Sequence, residues 1–162
     1  PVAVRYHNDW AMMIDVAMAQ SRTTHGAAEA VQACAALADL LGATINGMPL
    51  PELVAQAEVK VKGFKRAQPR AQVTGSGYVV DSLHAATWAV ARTSTFEEAI
   101  LAAANLGQDA DTTAAIAGQI AGAVYGISGI PHRWLEKLAM RSEIVKKAGK
   151  LYNAGSVELK AA

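Results

Sequence analysis

At 162 residues the chain is long enough for one domain with a sizeable hydrophobic core. Its composition is 52% hydrophobic, alanine-rich and only 6% aromatic, which favours packed helices over a sheet, because strands prefer β-branched and aromatic residues. The formal charge of +1 removes any global electrostatic case for nucleic acid.

A single cysteine, Cys34, excludes an internal disulfide and fits a reducing, cytoplasmic setting. It lies on an apolar helical face, as a buried inert thiol would. No signal peptide is visible, and no apolar run approaches the ~20 residues of a membrane span. No membrane partner is expected. The chain opens on Pro1 rather than methionine, which fits a fragment of a longer chain.

In chain order, Trp10, Met13, Ile14, Ala17 and Met18 repeat as one face of a helix that ends near Gln20. After the polar break "SRTTHG", where Thr23 or Thr24 suits an N-cap, a second helix runs from about Gly26 with Val31, Cys34, Ala38 and Leu41 on one side. The turn residues of "INGMPLP" close it. From Pro51 to Arg66, Leu53, Val54, Ala57, Val61 and Phe64 suit a helix, although "EVKVKGF" alternates like a strand; helix is favoured. Lys60, Lys62, Lys65, Arg66 and Arg70 form a basic cluster, read as a solvated face or a docking patch for an acidic partner. "RAQPRAQVTGSG" is a loop, and a helix carrying Leu83, Ala86 and Val90 starts between Tyr78 and Asp81. Ser94 and Thr95, each followed three residues later by a glutamate, form overlapping capping boxes for the next helix, which ends at Asn105 to Gly107. Pro131 opens another, and Ile144, Ala148 and Leu151 mark a last amphipathic segment. The whole reads as a single all-α domain over residues 1–162.

One stretch does not fit a bland bundle. "NLGQDADTTAAIAGQ" places two aspartates and two threonines in five positions, and from Thr93 to His132 there is no Lys or Arg to neutralise them. Asp111 suits an N-cap, where a carboxylate also favours the positive end of the helix dipole. Asp109 is left unexplained. Two carboxylates two residues apart can converge, and with Thr112 they form an all-oxygen set of the kind Mg²⁺ or Mn²⁺ prefers. An EF-hand is excluded, because the Gly and distal Glu of its loop are missing. On spacing alone a metal site and a capped surface helix both stay open. Ala114, Gly118, Gly122 and Gly126 then recur every four residues. Each Gly costs about 1 kcal/mol of helix stability against Ala, so the seam implies a central helix closely approached by another backbone and rigidly held.

The stretch "NLGQDADTTAAIAGQIAGAVYGISGIPHRW" resembles the C-terminal signature of the ADP-ribosylglycohydrolase family, and within it the dinitrogenase reductase-activating glycohydrolases. "SRTTH" and "GSGYVVDSLHAATWAV…TSTFEEAI" fall upstream in the order and approximate spacing of that family, so the likeness covers about residues 6 to 140. It implies an all-α bundle of the ADP-ribosylglycohydrolase type holding two divalent cations, Mg²⁺ or Mn²⁺. Asp109, Asp111 and Thr112 match its C-terminal metal ligands, His25 a histidine lining the ADP-ribose cleft, and Tyr78 an aromatic that packs on the nucleotide. The family's other ligands and acidic catalytic residues come from an N-terminal half with a Thr-Asp-Asp-Thr-type motif, which does not occur here. The chain thus resembles the C-terminal half of the enzyme, with that N-terminal half as its missing partner. Alone, such a half is expected to fold poorly or self-associate.

Taken without the resemblance, His25 suits a capping or core-edge histidine, and Tyr78 either a packed helix-start tyrosine or a ring open to a base. Gly75, Ser76 and Gly77 offer backbone N–H groups to a pyrophosphate only in a bare GxG pattern. His7, His84, His132 and Trp134 read as structural. The expected function is hydrolysis of the N-glycosidic bond between ADP-ribose and a modified arginine on an acceptor protein; the alternative is a non-catalytic helical module of the same fold that binds ADP-ribose or another protein.

Overall fold

The structure, a computed structural model, describes residues 1–157. Among them are nine α-helices and two short 3-10 turns, with no strand, as the composition predicts. They fall into two compact units, Met48–Pro131 and Pro1–Gly47 together with the segment from His132.

In the second of these units, α1 (Val2–Tyr6) packs against α2 (Trp10–Arg22) and α3 (Ala28–Ile45). α1 has too few residues to leave a periodic signal and went unpredicted. Asp9 starts α2 by accepting the Met12 amide at 3.0 Å, and Met13, Ala17 and Ser21 form its buried face. Trp10, expected on that face, is 46% exposed. A Cβ on Gly42 would lie 2.6 Å from Met13 Sδ, so a larger residue there would push the flexible end of the Met13 side chain aside. Cys34, expected buried, is half-buried. By length and composition α3 is the one described helix that could cross a membrane, an apolar run the sequence reading passed over. Here it is a core helix, burying Ala30, Val31, Ala38 and Leu40.

α8 (His132–Leu135) and α9 (Arg141–Val157) belong to the same unit. The end of α9 docks on α1. His7 stacks on Tyr152 with ring centroids 4.5 Å apart, and Gly155 lies against the Arg5 carbonyl where a Cβ would collide. The apolar stripe expected along α9 is covered only near that end, and Ile144 is 48% exposed.

The Met48–Pro131 unit holds α4 (Leu50–Lys60), α5 (Val79–Ala91), α6 (Phe96–Ala104) and α7 (Ala110–Tyr125). The helix favoured over Pro51 to Arg66 ends at Lys60; Gly63, at φ 79°, then turns the chain, and Val61 and Phe64 are still buried. α5 is buried continuously from Ser82 to Val90 and packs on α4, α6 and α7. The centre is therefore α5, not α7 as the glycine seam implied. α7 buries one face, Thr113, Ala117, Ile120 and Ala121. Added Cβ atoms on Gly118 and Gly122 would meet Ile100 Cδ1 at 3.5 Å and Phe96 Cε2 at 4.0 Å. Those are ordinary contacts with side chains of α6, so no backbone approach explains the seam. Gly126 lies outside it, capping α7 at φ 65°.

Candidate functional site

The start of α7 is set one residue pair earlier than the sequence suggests. Gly107 and Gln108 both take left-handed backbone, φ 78° and φ 55°, a conformation uncommon for glutamine. The chain reverses there, so Asp109 and not Asp111 becomes the N-cap. The Asp109 carbonyl accepts the Thr113 amide at 3.1 Å, while its side chain makes no capping bond. Asp111 lies in the first helical turn, exposed beside Thr112.

The two carboxyl groups meet. A hydrogen bond shared with the Asp109 carboxyl, then the backbone N–H groups of Thr112 and of Asp111 itself, hold the Asp111 carboxyl below the ordinary carboxylate range. The Arg70 guanidinium is spent on backbone carbonyls. Arg70 donates to the carbonyls of Asn105 and Leu106, both at 3.3 Å, and to Val73 at 3.4 Å. It caps the end of α6, where a cation complements the helix dipole.

Against this turn lies the glycine loop, which the sequence marked only weakly. The Asp109 amide donates to the Gly75 carbonyl at 2.9 Å. A Cβ on Gly77 would sit 3.3 Å from Asp109 Oδ2, and one on Gly75 would sit 3.3 Å from Thr113 Oγ1 and Leu106 Cβ. Both glycines are there for close approach. Tyr78 follows at the N-cap of α5, its side chain 45% exposed. Ser76 Oγ donates to Asp81 Oδ2 at 2.7 Å and accepts the Tyr78 amide at 3.1 Å. Ser82 Oγ donates to the Ser76 carbonyl at 2.7 Å and the Tyr78 carbonyl at 3.1 Å. Asp81, Thr113 and Arg70 were not singled out for the site, and Ser76 was singled out only for its backbone N–H. An acid three residues past the α5 N-cap was the available signal.

Tyr78, Asp109, Asp111 and Thr112 thus fall within the Met48–Pro131 unit, whereas His25 belongs to the other. His25 is exposed at the end of α2, with Nδ1 2.9 Å from Thr24 Oγ1. Thr23 caps the C-terminus of α2 by donating to the Gln20 carbonyl at 2.7 Å; α3 starts after Ala27, so neither threonine is its N-cap.

Does this donor set suit a divalent cation? Among the described residues no three His, Cys, Asp or Glu side chains converge. Two facing carboxylates and the adjacent Thr112 hydroxyl are hard oxygen donors, which fit Mg²⁺ or Mn²⁺ as part of a site whose remaining positions are filled from elsewhere.

A protein-family model described as ADP-ribosylglycohydrolase matches residues 1–159. The chain belongs to the ADP-ribosylglycohydrolase family. Its match extends beyond both ends of the stretch that carried the resemblance. ADP-ribosylarginine hydrolase Tri1 of Pseudomonas putida (strain GB-1) is 45% identical over 142 residues, 83% of this chain and 38% of that protein. ADP-ribosyl-(dinitrogen reductase) glycohydrolase of Rhodospirillum rubrum is 34% identical over 129 residues, 78% of this chain and 43% of that protein. A solved structure of an ADP-ribosylglycohydrolase-related protein complex superposes with a TM-score of 0.85 at 38% identity, covering 96% of this chain and 57% of that one. This family member therefore spans roughly two-fifths of the length of the curated relatives, at 38% and 43%.

Proposed function

We propose that this chain forms the metal- and nucleotide-holding part of a hydrolase that removes ADP-ribose from modified arginine side chains of an acceptor protein. The observation that carries the reading is the placement of Asp109 at the α7 N-terminus against the loop that bears Tyr78, its amide bonded to the Gly75 carbonyl and its carboxylate close to Gly77. The arginine linkage is supported by the name and 45% identity of the Pseudomonas putida relative.

Asp109, Asp111 and Thr112 are the residues that would hold divalent metal. Two such cations, Mg²⁺ or Mn²⁺, supply positive charge that orients ribose hydroxyls and acidifies water. The exposed Tyr78 ring offers a face on which an adenine can stack, and its small neighbours Gly75 and Gly77 let the nucleotide approach. Cleavage of the bond from C1′ to the arginine nitrogen spreads positive charge over the sugar ring.

The test is release of free ADP-ribose from an ADP-ribosylated arginine peptide by the intact protein. Release is expected with Mg²⁺ or Mn²⁺ and is expected to stop on chelation, returning when metal is restored. Release at full rate in chelator would remove the metal role of this loop; no release under any metal condition would remove the hydrolase reading.

A further inference from the structure

We propose that Asp81 is a positioning residue for the nucleotide: acting through the Ser76 hydroxyl, it fixes the turn that carries Tyr78 against Asp109. This rests on the functional reading above. Asp81 sits in the first turn of α5, and its Oδ2 accepts a hydrogen bond from the Ser76 hydroxyl at 2.7 Å, a well-formed O–H···O distance. With its proton committed to Asp81, Ser76 Oγ presents a lone pair to the Tyr78 amide at 3.1 Å. That directs the Tyr78 backbone. Ser82, one residue on, holds the carbonyls of Ser76 and Tyr78 from the same side.

The opposite side of the turn is held by Asp109. Gly75 accepts the Asp109 amide, and Gly77 passes so close to the Asp109 carboxylate that a methyl group would stand 3.3 Å from it. The turn is gripped between Asp81 on α5 and Asp109 on α7. Release of the Asp81 grip frees the Ser76 hydroxyl to rotate, and the ligand must then order the Tyr78 turn as it binds. Asp81 is half-buried and acts on the ligand through Ser76, not by contact.

A role confined to helix stability makes a different forecast, so the experiment separates the two. In the intact protein, at a temperature where all variants are folded, Asp81→Ala should weaken ADP-ribose binding and raise KM by about tenfold. Its kcat and its Mn²⁺ affinity, read by calorimetry, should stay near wild type. Asp81→Asn keeps an oxygen acceptor for Ser76 and should restore most of the affinity. Ser76→Ala should resemble Asp81→Ala, and the double variant should bind no more weakly than either single one, because both break the same link. Unchanged ADP-ribose affinity in Asp81→Ala, or additive losses in the double variant, overturns the proposal while leaving the hydrolase reading intact. Equal loss of Mn²⁺ affinity also overturns it, since Asp81 would then act on the metal loop. A wild-type protein that binds no ADP-ribose overturns the functional reading first and this inference with it.

Discussion

Asp109 occupies the N-cap of α7 without lending its side chain to the cap, so its truncation should separate ligand holding from helix stability. Asp109→Ala is expected to change the stability of the intact protein by no more than about 0.5 kcal/mol, while divalent-metal affinity and ADP-ribose release collapse. Calorimetric metal titration alongside a hydrolysis assay checks this; a mutant that binds metal and turns over normally would take Asp109 out of the site. Asp111→Ala separates the two less cleanly. As a first-turn acid rather than the cap, it should cost its interactions with the helix dipole and the nearby backbone N–H groups. The residue types at this helix end were legible because two unneutralised aspartates are conspicuous in an apolar chain. Which of them caps was not legible, because it depends on Gln108 taking φ 55°, and a glutamine gives no sign of a left-handed backbone. The pairing of Ser76 with Asp81 was hidden for a related reason: it follows from the fold of the glycine turn.

At the scale of single elements, the capping boxes before α6 give a direct comparison. The sequence offered two, and the chain uses Thr95, whose Oγ1 accepts the Glu98 amide at 3.1 Å. Glu98 Oε2 in turn accepts the Ser94 amide at 3.0 Å, so Ser94 contributes its backbone and not its hydroxyl. Thr95→Ala should therefore destabilise the protein by about 1 kcal/mol, and Ser94→Ala should leave it nearly unchanged. Chemical denaturation of the two variants reads the order, and a larger loss from Ser94→Ala would contradict the assignment. Helices such as α2, α5 and α6 were legible in outline because helical spacing is local. What each helix packs against was not. Trp10 follows the apolar repeat of α2 yet stays exposed, and the glycine seam of α7 pointed to a central helix when the continuous burial of α5 shows that α5 holds that place. Burial depends on neighbours distant in sequence.

For the whole molecule, the all-α class followed from composition, and the family followed from one acidic stretch that composition alone would not predict. The stability of the assembled protein carries a further consequence of its alanine-rich interior, which places His84 on the most buried helix. Burial lowers the His84 pKa from its ordinary value near 6.5, and the charge of Asp81 opposes that only in part. Its ring meets Phe64 edge-on, with centroids 6.0 Å apart, and Nε2 has no hydrogen-bond partner. Well above pH 6.5 the ring is neutral folded or unfolded and adds no pH dependence. As pH falls below 6.5 the unfolded chain takes the proton first, so stability declines until the lowered folded pKa is passed. His84→Phe keeps an aromatic beside Phe64 and removes the titration. Denaturation midpoints of the intact protein should fall between pH 7.5 and pH 5.5, and about one proton's worth of that slope should be missing in the variant. His7, His25 and His132 remain in both proteins, so the difference isolates His84, and an identical slope in the two would show that His84 is not buried as a neutral ring.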